Sequence, residues 1–206
     1  MPPYASLTSE MHFPTWQYLP GYRPSTDRHY CFLAEVKECD GFFRYRTLAT
    51  DGIDQDIVVA FYPSSYEGFD WKKLRKGHTL AIMDATQHHF LDSSHGVRVE
   101  NLDHVYVFPA SQRDLQRLSS EVNEFAPETE GGPWRCHGCH AVKPMDQMSR
   151  CGKCKVFGYC SKDCQVKGWN EKDHKRYCKV ARDPNFMSLI KLDFSASETG
   201  FAFKRT

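Results

Sequence analysis

The sequence predicts an α+β, mainly β chain: a small β-barrel with a covering helix, followed by a compact cysteine-rich module. Three observations predict it. Between residues 29 and 109, short apolar runs alternate with turn residues, the pattern of strands. Residues 110–125 carry apolar side chains at helical spacing. Seven of the nine cysteines then fall between Cys136 and Cys178. A chain of 206 residues accommodates one ordinary domain of about 130 residues plus such a module.

Residues 1–28 read as an arm rich in proline and aromatics, from Pro2 and Pro3 through Phe13, Trp16 and Tyr18 to Pro24. The arm has neither the charged start nor the apolar stretch of a secretory leader or transit peptide. Its aromatics predict packing on a body. The barrel occupies residues 29–125. Residues 31–36 read as a mostly buried strand, and residues 42–50 follow the turn Asp40-Gly41. Residues 57–62 are a continuous apolar run ended by Pro63. A helical stretch near residues 69–74 leads to Lys76-Gly77 and a strand over residues 79–90. Val97, Val99, Val105, Val107 and Phe108 mark two more strands around Asn101 to Asp103.

Five or six strands with one helix after the third resembles the element order of an OB-type barrel. Such barrels bind single-stranded nucleic acid with basic grooves and stacking aromatics. The aromatics are present (Phe42, Phe43, Tyr45, Phe61 and Tyr62), but residues 1–133 carry 12 basic and 19 acidic side chains, a net of −7. Arg44 and Arg46 alternate on one strand face and read as solvated. A protein-contacting or scaffolding barrel is therefore favoured over a nucleic-acid binder. His88, His89 and His95, with Asp84 and Asp92, match no metal spacing and read as a polar strand and turn. Cys31 and Cys39 read as free thiols that pack. In residues 110–125, Ser111 is a candidate cap, and Leu115, Leu118, Val122 and Phe125 form the apolar face of the helix expected to cover the barrel's open end. Residues 126–133 have linker composition, and residues 181–206 form a tail too apolar for disorder.

The chemistry lies in residues 134–180. Eight candidate ligands follow one another: Cys136, Cys139, Cys151, Cys154, Cys160, Cys164, His174 and Cys178. Zn²⁺ prefers four borderline or soft ligands in a tetrahedron, and Cys-x₂-Cys lets two thiolates share one ion. Eight ligands therefore predict two closed, structural Zn²⁺ sites without an open position for substrate. A disulfide framework is excluded by the histidine in a ligand slot and by the cysteine-poor remainder. The expected compartment is reducing, nucleus or cytoplasm, rather than secreted. Spacing alone admits interleaved or sequential pairing.

The two CxxC pairs, then Tyr159-Cys160-Ser161, Cys164-Gln165, Trp169, His174-Lys175 and the final Cys178, resemble the MYND-type zinc finger over about 45 residues. The resemblance implies interleaved sites: Cys136, Cys139, Cys160 and Cys164 on one zinc, Cys151, Cys154, His174 and Cys178 on the other. It also implies a groove for proline-containing peptides at Gln165 and Trp169, on a helix that Ser161 caps. Charge adds to this. Residues 134–180 hold 11 Lys and Arg against 4 Asp and Glu, a surface tolerant of acidic partners but not a nucleic-acid footprint.

MYND fingers also occur within SET-type lysine methyltransferases. The SET pocket motifs are absent here, and only 28 residues follow Cys178. No catalytic triad, phosphate loop or dinucleotide fingerprint appears either. The expected function is a non-enzymatic adaptor that recruits a proline-containing segment of a protein partner, with the family resemblance pointing to transcriptional regulation. The alternative is a single-stranded nucleic-acid-binding factor. No apolar run is long enough for a membrane span.

Overall fold

The computed structural model describes residues 4–21, 28–40, 45–53, 55–127, 131–195 and 201–205, with only the backbone of Asp40. Phe42, Phe43 and Arg44, and part of the 126–133 stretch, lie outside the described residues. The fold is mixed α/β, with a large sheet and a separate cysteine-rich region. The chain divides into two compact units. One holds Thr8–Arg113 and Asp193–Thr206, the other Met1–Leu7 and Asp114–Leu192.

The first unit is built on seven strands: β1 (Cys31–Asp40), β2 (Arg46–Thr50), β3 (Asp56–Phe61), β4 (Thr79–Met83), β5 (Gln87–His89), β6 (His95–Val99) and β7 (Val105–Phe108). Their order in the sheet is β5-β6-β3-β2-β1-β4-β7. β4 is buried along its whole length, and pairing with β1 on one side and β7 on the other covers both of its edges. β3 alternates at its start, with Asp56 exposed and Ile57 buried, then runs continuously buried from Val59. The core gathers Phe32, Val36, Ile57, Val59, Phe61, Leu80, Ile82, Val97 and Val107, with Trp16, Tyr45, Phe69 and Trp71 packed against it.

The expected small β-barrel is corrected to an open sheet. The sequence reads residues 79–90 as one strand, but the backbone breaks after Met83. Asp84 adopts a left-handed φ of 52°, which ends β4 before β5 begins. Its carboxylate fixes the break by accepting hydrogen bonds from His29 Nδ1 and the Tyr30 amide, 2.9 and 3.3 Å away. β7 takes the free edge of β4.

The described part of the proline-rich arm from residue 8 onward lies along this sheet. The Cys31 amide donates to His12 O, the Gln87 amide to Pro20 O, and the Trp16 amide to buried Asp51. At the other terminus, the Phe203 amide donates to Asp103 O and its ring lies 5.7 Å from that of Tyr106. His88, His89 and His95 fall on the β5–β6 hairpin, where His89 pairs with His95 in register. They belong to none of the metal-binding groups found among the described residues. Cys31 is fully buried, and burial pushes its thiol pKa up.

The helix expected over residues 110–125 is present. α1 (Gln112–Phe125) forms and buries Leu115, Leu118, Val122 and Phe125 as the pattern requires, but from Asp114 onward it belongs to the unit that contains the cysteines. Contacts from its polar side and from Phe125 hold it there. Asp114 accepts from Arg176 and from the Tyr177 hydroxyl, Arg117 pairs with Asp173 at 3.0 Å, and Phe125 sets its ring edge-on to His137. The start of the chain joins the same unit, with the Leu7 amide donating to Ser119 Oγ. So does α4 (Pro184–Ile190), whose Ile190 carbonyl accepts from Ala5. Among the described residues, no helix is long and apolar enough to cross a membrane.

β6 runs parallel to β3 and comes close enough at Gly96 that an added Cβ would sit 1.8 Å from Val58 O. Backbone cannot yield there as a flexible side chain would. Gly96→Ala is expected to cost about 2–3 kcal/mol, read as a lowered urea midpoint of the sheet's circular dichroism with zinc content unchanged.

Candidate metal centre

Two short hairpins build the cysteine-rich unit. β8 (Trp134–Arg135) pairs with β9 (Val142–Lys143), and β10 (Ser149–Arg150) pairs with β11 (Gly158–Tyr159). Each hairpin carries one CxxC. Each CxxC is followed by a residue of positive φ, His140 at 64° and Lys155 at 59°. In both, the amide of that residue donates to the carbonyl of the first cysteine, 2.8 Å for His140 to Cys136 and 2.9 Å for Lys155 to Cys151. The tight turn aims both thiols of a pair to one side.

Two helices complete the ligand sets. α2 (Lys162–Glu171) is capped by Ser161, whose Oγ accepts from the Cys164 amide at 3.1 Å, so cap and candidate ligand are held by one bond. α3 (His174–Ala181) starts after Asp173, a left-handed residue at φ 57°, and places His174 and Cys178 one turn apart on its buried side.

The ligand atoms gather into two groups, each within 4.8 Å: Cys136, Cys139, Cys160 and Cys164 in one, Cys151, Cys154, His174 and Cys178 in the other. A tetrahedron with Zn–S bonds of about 2.3 Å has edges of about 3.8 Å. The sulfurs of Cys139 and Cys160, and of Cys160 and Cys164, are 3.6 Å apart, and those of Cys151 and Cys178 are 3.8 Å apart. Cys154 Sγ lies 3.3 Å from His174 Nε2. The donor chemistry and spacing fit two zinc ions. The first group is partly open to solvent and the second is wholly buried.

Burial pushes the Cys178 thiol up to about 12, with the neighbouring Cys154 and Cys151 adding to the rise. Such thiols ionise only against a local cation. Burial holds His174 down to about 4, with nearby His137 contributing, so its imidazole is neutral as ligation requires. The Tyr159 hydroxyl hydrogen-bonds His174 Nδ1, which leaves Nε2 facing the thiols. The Cys160 amide points at Cys136 Sγ, 3.4 Å away. His137, inside the first CxxC, is buried under Phe157 and Phe125 and lies 3.5 Å from Glu121 of α1. Sequence reasoning missed Tyr159, His137 and α1 as supports of the site. A visible signal was the acidic side of α1, Asp114 and Glu121, placed before a basic finger.

Of the two residues expected in a peptide groove, Gln165 is exposed and Trp169 is half-buried, both on α2. The Trp169 ring meets His174 edge-on at 5.3 Å and lines two surface hollows.

These features define a small domain organised by two interleaved Cys/His clusters. Residues 136–178 match the MYND finger family, and this segment is a MYND finger. The chain is 52% identical over 33 residues to a SET and MYND domain-containing protein of Dictyostelium discoideum. It is 43% identical over 47 residues to the human histone-lysine N-methyltransferase SMYD3. These matches cover 16% and 23% of this chain but only 6% and 10% of those relatives, and they fall in the finger, a non-catalytic module. Among solved structures, a chain of a replication protein A heterotrimer bound to ssDNA aligns at 13% identity. That alignment covers 46% of this chain and 66% of that one, with a TM-score of 0.30, a likeness too slight to argue from.

Native mass spectrometry is expected to find two zinc ions per chain. Cys151→Ser is expected to lose zinc and the ordered amide signals of the finger, with the sheet's signals retained. Tyr159→Phe is expected to keep both ions but weaken zinc retention about 10- to 100-fold against a chelator, since it frees His174 Nδ1.

Proposed function

We propose that this chain is a zinc-dependent adaptor whose finger recruits a proline-containing segment of a protein partner. One zinc is held by Cys136, Cys139, Cys160 and Cys164, the other by Cys151, Cys154, His174 and Cys178. The proximity of each tetrad supports that pairing over a sequential one. Four protein ligands per ion leave no position for substrate, so the metal shapes a surface rather than performing chemistry.

One observation carries the reading. Trp169 is anchored edge-on by His174 of the buried tetrad, yet it lines the hollow beside Asn170 and Asp173 and also the hollow beside Lys153 and Cys178. A fixed indole between two hollows is a platform on which a proline ring can stack, and its orientation costs little entropy on binding. Gln165, one turn earlier and exposed, offers an amide to the backbone of an extended ligand.

The sheet unit supports the same class of function. Only three residues separate β4, which pairs with β1, from β5, which pairs with β6. The run from Thr79 to His89 thus links both flanks of β1-β2-β3-β6, and we read it as a partly open OB-type sheet. Its aromatics are engaged with one another: Tyr45 stacks on Trp71 at 3.8 Å, and buried Phe61 meets Trp71 edge-on. Arg46 is taken by Asp92 and Ser94. This favours a scaffold over a single-strand reader. A role in transcriptional regulation, in nucleus or cytoplasm, is the setting the finger family points to.

An affinity pull-down from the source cell, comparing the wild-type chain with Trp169→Ala, tests the proposal. The variant is expected to keep both zincs by mass spectrometry and to lose a defined set of proline-containing partners. An unchanged partner set would assign the finger to a bracing role.

A further inference from the structure

The hollow on one side of Trp169 is lined by Lys153, Lys175, Lys179 and Arg182, with Cys178 at its base and no carboxylate in its wall. Lys153 comes from the turn of the second CxxC, and its Nζ lies 5.8 Å over the Trp169 ring. Lys175 and Lys179 stand on α3 and Arg182 directly follows it, at positions i, i+4 and i+7. All four cations are exposed, and none takes part in a salt bridge among the described residues. The neighbouring basic residues behave otherwise, since Arg176 is tied to Asp114 and Arg117 to Asp173. The unit therefore spends its carboxylates elsewhere and leaves one concentrated positive field beside its aromatic platform.

We infer that this hollow is an acidic-peptide subsite, taking aspartate or glutamate side chains that flank the proline of the recruited segment. The inference rests on the groove reading above and specifies its ligand. Geometry favours a run of carboxylates over a single phosphate. Residues four apart on a helix are about 6 Å apart along its axis. Alternate residues of an extended peptide, which share a face, are about 6.6 Å apart. An acidic-x-acidic segment therefore matches Lys175 and Lys179 in step, with Arg182 about one further turn along. A lone phosphate would engage one or two of these cations and leave the rest unpaired. The field is also local, which suits a short peptide segment better than the long basic stripe a nucleic acid tracks.

The test uses the full zinc-loaded chain and fluorescein-labelled peptides read by anisotropy. One 12-residue probe carries Pro-x-x-Pro followed by Asp-x-Asp; the second has Asn in place of each Asp. At low salt the acidic probe is expected to bind about tenfold more tightly, with the difference shrinking as ionic strength rises. Lys175→Glu/Lys179→Glu, checked to retain two zincs, is expected to abolish that preference while still binding the Asn probe. Trp169→Ala is expected to weaken both probes. Equal affinity for the two probes in the wild-type chain would overturn the subsite and leave the groove standing. A retained acidic preference in Trp169→Ala at undiminished affinity would overturn the groove and leave the subsite standing. Failure of both probes to bind would overturn both. Tighter binding by a single-stranded oligonucleotide or a phosphoserine probe of equal charge would assign the hollow to that ligand instead.

Discussion

The finger depends on four-way convergence of side chains on zinc, because its secondary-structure elements are too short to hold themselves. Its hairpins are two residues per strand, and α3 is eight residues long, below the length at which a helix is stable in water. α2 buries only one residue, Gly168. Such pieces acquire fixed positions when metal ties a hairpin turn to a helix, and the binding free energy is then the folding free energy. Interleaving adds a further constraint. The chain passes through both tetrads before either is complete, so neither can form on a locally folded fragment.

The aromatic layer beneath the metals turns these ties into a surface. Tyr159, Phe157 and His137 are buried together, and Tyr159 reaches His174 while His137 contacts Phe125 and Glu121 of α1. The ligands are thus oriented from behind by a helix that the family motif does not include. Removing the zinc and removing α1 would fail differently. The first leaves mutually repelling thiolates or protonated thiols; the second leaves a buried histidine without its carboxylate neighbour.

The metal ligands were legible in the sequence because ligation demands particular residue types at particular spacings, and the side-chain identities survive translation into three dimensions unchanged. Strand positions were legible for a related reason, since Ile57, Val59, Leu80 and Ile82 announce burial by type. The break between β4 and β5 was not. It follows from one left-handed aspartate, Asp84, which interrupts no apolar pattern and whose stabilising partners, His29 and Tyr30, lie 55 and 54 residues away. α1 shows the general limit. Its periodicity states that one face is buried but not against what, and only Asp114, Arg117 and Glu121 on the other side carry the information about its partner. Tyr159 was visible as part of a motif, but its hydrogen bond to His174 spans 15 residues and leaves no local trace.

Gly168 links the metal support to the exposed face of α2. A Cβ there would lie 2.5 Å from Tyr159 Cε1 and 2.9 Å from His137 Nδ1, so the helix backbone rests directly on the aromatic layer. That contact fixes the rotation of α2 and brings the next residue, Trp169, edge-on to His174. It also turns Val166 outward, 52% exposed, beside Gln165. The helix is therefore held by its cap, its cysteine and a glycine contact, none of which needs an apolar residue on the outer face. That face carries an exposed valine and a half-exposed tryptophan whose ring is held edge-on by His174. The free lysines of α3 stand beside them, so the aromatic platform and the positive field are held in register by the same buried zinc tetrad.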